Sequence, residues 1–251
     1  MAINLSKKIS SIVGRTNAQY ELIKEGDKIL VGFSGGKDSL TLIHALNRLK
    51  SVAPYDFEFK AVTITYGMGE QVEFLSKHCK EHGIEHEIIE TEIFDISKEK
   101  IRKNSSFCSF VSRMRRGYLY TTALDQGYNK LALGHHLDDA MESFFMNMFY
   151  NGAMRSMPPR YKAENGLEVI RPLIFCRERQ LRAFAQSNEI GVIGDESCPA
   201  MRVDIKMPHA RQNTKELLEK LEEQNPQIFV SMKAAFSNIQ TSTFFDKDLL
   251  D

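Results

Sequence analysis

The chain has no net charge, no long hydrophobic run and few cysteines, and each scarcity excludes a class of protein. Its 33 lysines and arginines match its 33 aspartates and glutamates, so the formal net charge at pH 7 is zero. Without a global field, a nucleic-acid partner has to be met by a local basic patch. No apolar stretch approaches the ~20 residues of a membrane span, and the opening residues Met1 to Lys8 lack a secretory core. A cytoplasmic enzyme with no membrane partner is the default expectation. Four cysteines, at 79, 108, 176 and 198, have no regular spacing. They do not make a disulfide framework, which leaves reduced thiols or a metal centre. At 251 residues the chain can bury the core of one large α/β domain, or of a domain with appendages.

What is present begins with Ser34-Gly35-Gly36-Lys37-Asp38-Ser39, between the strand-like run Lys28 to Phe33 and the apolar helical run Leu40 to Leu46. Strand, glycine turn and helix follow in that order. Adjacent glycines let the backbone turn its N–H groups toward a ligand, and the helix start adds partial positive charge and free donors. Such a loop suits phosphate or pyrophosphate. It is not a Walker A loop, which needs Gly where Val31 stands and Ser or Thr where Asp38 stands, nor the dinucleotide fingerprint, whose second glycine is Ser34 here. The loop resembles instead the pyrophosphate loop of enzymes that split ATP into AMP and pyrophosphate. An ordinary strand-to-helix turn is the plain alternative.

Strands are expected at 57–65, 86–90 and 130–133 besides the first, with helices at 7–23, 39–49, 72–82 and 113–125. This alternation predicts an α/β fold: a doubly wound, mostly parallel sheet with helices on both faces and helical segments at each end. The expected division is a helical segment 1–25, an ATP-binding domain 26–205 and a helical segment 206–251. Ligands of such sheets bind beyond the carboxyl ends of the strands, where the Ser34 to Ser39 loop lies. A second constellation, Gly134-His135-His136-Leu137-Asp138-Asp139 with Glu142, follows the strand 130–133 and occupies another carboxyl end. Asp138 is readable as a helix cap. Two histidines and two aspartates beside a phosphate loop also suit Mg²⁺ and nucleotide chemistry, with Asp38 a candidate Mg²⁺ ligand.

These motifs resemble the pyrophosphate-loop tRNA sulfur transferases, in particular tRNA 2-thiocytidine synthetases of the TtcA type. The likeness runs through Glu25-Gly26-Asp27, the Ser34 to Ser39 loop, Ser112 to Gly117, the Gly134 to Asp139 segment, Asn147 to Gly152, Met157-Pro158-Pro159, Arg171-Pro172-Leu173 with Cys176-Arg177-Glu178, and Pro226 to Phe229. It implies a pyrophosphate-loop, adenine nucleotide alpha hydrolase-like (Rossmann-like) fold. The implied reaction is ATP-dependent thiolation of an anticodon-loop cytidine: adenylation at C2 releases pyrophosphate, and sulfur then displaces AMP. It further implies that Ser34, Gly35, Gly36, Lys37, Asp38, Ser39, Gly134, His135 and Asp139 bind the nucleotide, that Lys37 and Asp38 are catalytic, and that tRNA and a sulfur donor such as a cysteine desulfurase are partners. Other pyrophosphate-loop enzymes pass lysine or ammonia to the activated carbon, and a degenerate nucleotide-binding module is a further alternative.

Relatives of that type carry two C-x-x-C pairs that supply three thiolates to a [4Fe-4S] cluster. Here Val111 and Asp195 replace the expected cysteines, leaving Cys108 and Cys198. Two thiolates are fewer than cluster sites normally use. Three readings stay open: a cluster with unusual ligation on Cys108 and Cys198, a persulfide relay between them, or two remnants. Cys79 and Cys176 read as structural.

For tRNA, Lys98, Lys100, Arg102, Lys103, Arg113, Arg115 and Arg116 flank Cys108, with Arg155, Arg160 and Lys162 further on. Such a run is either a solvated face or an RNA surface. Phe107, Phe110, Tyr118 and Tyr120 either stack on splayed bases or belong to the core. The amphipathic segment 214–223 is expected to pack on the domain or on a second subunit, which keeps a homodimer among the expected assemblies.

Overall fold

The computed structural model describes residues 3–100, 107–193, 210–245 and 247–249. They form two compact units, 1–140 with 157–208 and 141–156 with 209–251. The first contains a six-stranded sheet in the order β3-β2-β1-β4-β6-β5. Its strands are β1 Lys28–Gly32, β2 Glu58–Ile64, β3 Glu85–Ile89, β4 Lys130–Ala132, β5 Arg160–Lys162 and β6 Glu168–Ile170. All neighbours are parallel except β5, which runs antiparallel to β6 at the edge.

Period-two alternation in β1 shows why the sheet needs cover on both faces. Ile29 and Val31 enter one core and Leu30 the other, all three fully buried. The first core is closed by α1 Lys7–Tyr20, α2 Lys37–Lys50, α3 Glu73–Glu81 and α7 Glu178–Ser187, through Ile9, Val13, Leu40, Ile43, Leu75, Leu181 and Phe184. The second is closed by α4 Ile93–Lys100 and α5 Phe107–Asp125, through Ile93, Phe107, Val111, Leu119 and Ala123. The expected doubly wound, mostly parallel sheet is therefore observed, with β6, the antiparallel β5 and the helices α4 and α7 as additions.

Between β1 and β4 the winding direction reverses, which opens a crevice at their carboxyl ends. The loops leaving these two strands are the Ser34 to Ser39 turn and the Gly134 to His136 turn. At the opposite end of the sheet, Lys130 is buried and pairs with Asp27 at 2.8 Å and Glu168 at 3.0 Å, while its ammonium donates to the Leu22 carbonyl. Glu25-Gly26-Asp27 is thus a structural lead-in, remote from the strand carboxyl ends.

α6 Leu137–Asn151 begins in the first unit and continues in the second. Within the second unit are also α8 Ala210–Gln224 and α9 Ile228–Ala235. α8 buries Thr214 and Leu218, one turn apart, and Arg211 Nε donates to Glu142 Oε2 at 2.8 Å. Phe144 meets Phe236 edge-on with centroids 5.0 Å apart. No helix among the described residues is long and apolar enough to cross a membrane.

Candidate active site

The turn after β1 is drawn tight by its own hydroxyls. Ser34 N donates to Ser39 Oγ at 3.2 Å, the two seryl oxygens are 3.2 Å apart, and Ser39 Oγ donates to the Gly36 carbonyl at 3.0 Å. Gly35 has φ +77°, a left-handed conformation, and a Cβ there would lie 2.7 Å from the Ile193 side chain. Ile193 N also donates to the Gly35 carbonyl at 2.9 Å, so the segment that leads away from α7 folds over the turn. Gly36 is the N-cap of α2 and supplies no side-chain cap. The first N–H groups of α2 are therefore left for an anion, at the positive end of the helix dipole.

Charge is distributed around that helix start in alternating signs. Lys37 Nζ lies 3.3 Å from Asp38 Oδ2 and 3.2 Å from Glu178 Oε1. Burial by itself would lower the Lys37 ammonium, but the Asp38 and Glu178 carboxylates outweigh it and hold it above the ordinary lysine value. It stays a full cation at every physiological pH. Asp38 behaves in the opposite sense. Burial, the largest influence, raises its carboxyl above the usual range and Asp139 adds to this, although His136 and Lys37 pull it down. Its Oδ1 is buried with no hydrogen-bond partner among the described residues.

A raised folded-state value carries a stability consequence. The folded protein holds the Asp38 proton more tightly than the unfolded chain does, so the ionised group opposes folding once pH rises from 3.8 through the folded value. Asp38→Asn is accordingly expected to raise Tm at neutral pH by about 2–4 °C, roughly 1 kcal/mol, in protein free of nucleotide and divalent cations. The side chain is one-third exposed, and solvent screening keeps the gain that small. Calorimetry checks this, and a lower Tm would mean that Asp38 is satisfied in the fold.

The turn after β4 comes directly against this helix start. A Cβ on Gly134 would sit 3.2 Å from the Asp38 carbonyl carbon and from Ser39 N, so glycine permits the close approach. His136 N donates to Asp139 Oδ2 at 3.0 Å and Asp139 N donates to His136 Nδ1 at 3.4 Å, a reciprocal arrangement that starts α6. His136 Nε2 lies 3.4 Å from Asp139 Oδ2 and 3.8 Å from Asp38 Oδ1. His135 is held from outside: buried Arg171 donates through Nε to His135 Nδ1 at 3.2 Å and through Nη1 to the Pro158 carbonyl at 2.7 Å.

Asp138 does not cap its own helix. Its Oδ2 accepts the Glu178 N–H at 2.8 Å, capping α7, and its carboxylate pairs with Arg177 at 3.1 Å. Through that bond Asp138 fixes the start of the helix that presents Glu178 to Lys37. Arg171, Arg177 and Glu178 are therefore site-building residues to which the sequence pattern alone assigned no task. Their signal was placement, since a strand, a turn and an arginine-led helix start stand in the same order as in the first half of the sheet.

Of the candidate residues, Ser34, Gly35, Gly36, Lys37, Asp38, Ser39, Gly134, His135 and Asp139 are brought into the one crevice. Cys108 is on the first turn of α5, between Phe107 and Val111, both buried in the apolar core. Val111 thus offers hydrocarbon packing where the resemblance expects a thiolate. Asp195 and Cys198 lie outside the described residues, as do Arg102 and Lys103. Cys79 and Cys176 are fully buried, and burial pushes both thiols up to about 12. Phe107 belongs to the core, and Tyr118 and Tyr120 are partly buried against it; the Tyr120 hydroxyl lies 2.9 Å from that of Tyr161. Arg113 and Arg116 are exposed on α5, whereas Arg115 donates to the Tyr66 hydroxyl at 2.7 Å.

Residues 2–205 match the family model described as a PP-loop domain. A protein of Geobacter metallireducens named tRNA-cytidine(32) 2-sulfurtransferase is 43% identical over 245 residues, covering 97% of this chain and 94% of the relative. One of the same name from Pseudomonas syringae pv. syringae is 39% identical, covering 98% and 89%. Among solved structures, the U34-tRNA thiolase NcsA from Methanococcus maripaludis, with its [4Fe-4S] cluster, superposes with a TM-score of 0.74 at 23% identity, covering 96% of this chain and 83% of that one. The NH3-dependent NAD synthetase of Campylobacter jejuni gives 0.50 at 14% identity, covering 96% and 90%. At these identities the two structures establish a shared fold.

Proposed function

Because this chain belongs to the PP-loop family, and within it to the tRNA-cytidine(32) 2-sulfurtransferases, we propose that it spends ATP to thiolate C2 of a cytidine in tRNA. The observation that carries this reading is the meeting of two strand-end turns, which sets Lys37, the uncapped start of α2 and the carboxylates of Asp38 and Asp139 in one crevice. In the first step the C2 oxygen attacks the α-phosphorus of ATP, and the bond to the bridging oxygen breaks. Lys37 and the first-turn N–H groups of α2 offset the charge that develops on the departing pyrophosphate. The orphaned Asp38 Oδ1 and the neighbouring Asp139 carboxylate fit an oxygen-liganded cation such as Mg²⁺, which when bound would supply positive charge at the phosphates.

The second step needs a sulfur nucleophile. A three-thiolate cluster does not fit this chain, because Val111 is core packing and carries no ligand atom. We assign the step instead to a relay between Cys108 and Cys198. A persulfide on one cysteine, charged by a persulfide-forming donor such as a cysteine desulfurase, attacks C2; the C–S bond forms as the C–O bond breaks and AMP leaves. The other thiolate then attacks the carrier sulfur, which frees 2-thiocytidine and leaves a disulfide for a cellular dithiol to reduce.

The test is anaerobic protein with tRNA, ATP and a persulfide donor, read by nucleoside mass spectrometry and by pyrophosphate exchange into ATP. Exchange that depends on tRNA, together with 2-thiocytidine, is expected. Exchange without any thiolated base would move the chain to another adenylating reaction. About four irons per chain with acid-labile sulfide would replace the relay with a cluster route.

A further inference from the structure

Away from the crevice, three imidazoles converge between α2 and α3. His44 lies two helical turns beyond Lys37, while His78 is on α3 and His82 ends it. One ring nitrogen of each lies within 4.8 Å of the others, and His44 Nε2 is 2.8 Å from His78 Nε2. Their ring centroids form a nearly equilateral triangle, with sides of 5.0, 5.0 and 4.7 Å. Asn47 donates to the His82 carbonyl at 3.2 Å, which ties the end of α3 to α2, and Phe184 closes the apolar side of His44 at 5.9 Å. His44 is buried, whereas His78 and His82 are half-buried and keep one side of the triangle open to water.

A hydrogen bond between two imidazoles satisfies one nitrogen pair and gives no reason for a third ring to join it. A metal ion does. Tetrahedral zinc with Zn–N bonds of about 2.0–2.1 Å holds its ligand nitrogens roughly 3.3 Å apart, within the range of 2.8 to 4.8 Å present here. We propose that His44, His78 and His82 form a three-histidine site for a borderline divalent transition ion of the Zn²⁺ class, with solvent as the fourth ligand. The site lies about 10 Å along α2 from Lys37, given a rise of ~1.5 Å per residue. An ion there clamps α2 to α3 behind the pyrophosphate turn and does not touch the nucleotide.

Full-length protein, stripped with a chelator and titrated with Zn²⁺ against a chromophoric competitor, tests this. One tight Zn²⁺ per chain is expected, with affinity falling in His78→Gln and in His82→Gln by more than the about 10- to 100-fold that the loss of an outer-shell partner costs. Both side chains are only partly buried, so the variants are expected to keep the fold, as circular dichroism will check. Co²⁺ bound to the unaltered protein is expected to show d–d bands without a thiolate charge-transfer band, which separates this site from Cys108 and Cys198. Absence of stoichiometric uptake, unchanged affinity in both variants, or a thiolate band would each overturn the proposal.

Discussion

Lys37→Ala is expected to lower tRNA-dependent pyrophosphate exchange by about 10²- to 10³-fold, the usual cost of removing one preorganised charge donor from a developing anion. Its ammonium bridges Asp38, 3.3 Å away at the start of α2, and Glu178, 3.2 Å away at the start of α7. Removing it leaves two carboxylates facing the place where pyrophosphate accumulates charge, so the loss falls on the transition state more than on ground-state binding. The fold does not depend on the pair, since the Lys37 side chain is about a quarter exposed. Tm is therefore expected to move by no more than about 2–4 °C. Glu178→Gln keeps the size and removes one of the two anions, and a smaller loss of exchange is expected from it. Undiminished exchange in the Lys37 variant would sink the assignment of this loop.

The second large effect is a separation of the two half-reactions. Cys108→Ser and Cys198→Ser are each expected to abolish 2-thiocytidine formation while leaving pyrophosphate exchange near the unaltered rate. Cys79→Ser and Cys176→Ser are expected to retain thiolation, because those thiols are sealed in the core and held protonated by burial near 12. A hydroxyl in an apolar site costs stability, so these controls are compared at equal folded concentration. Thiolation that survives in both Cys108→Ser and Cys198→Ser would show that sulfur reaches the activated carbon by another route.

The parts of the fold that were legible share a cause. β1 and β2 lie in the sheet interior and carry buried, mostly apolar runs, Ile29 to Val31 and Ala61 to Ile64, and the turn after β1 announces itself by two glycines before a helix. Both signals are local. The three-residue strands β5 and β6 were not anticipated: unlike the equally short β4, which lies in the apolar run Leu131 to Leu133, they carry Arg160, Lys162 and Glu168 at their ends and show no apolar run. Asp138 had an obvious local task as a cap for α6, yet it caps α7 forty residues downstream. No spacing rule finds a partner at that distance. The same holds for His44 and His78, separated by 34 residues and brought to 2.8 Å by the packing of α2 beside α3.

By itself, then, the amino-acid sequence determined the alternating α/β architecture and the two strand-end turns, since hydrophobic period, glycine freedom and helix-start chemistry operate over a few neighbouring residues. Only the tertiary structure decided which side chains meet. Parallel strands put consecutive elements side by side with their carboxyl ends together, and at the reversal between β1 and β4 this brings residues 34–39, 134–139 and 177–178 into contact distance. Burial in that crevice then sets the charge state of Asp38 and Lys37, a property of the surroundings that neither residue carries on its own.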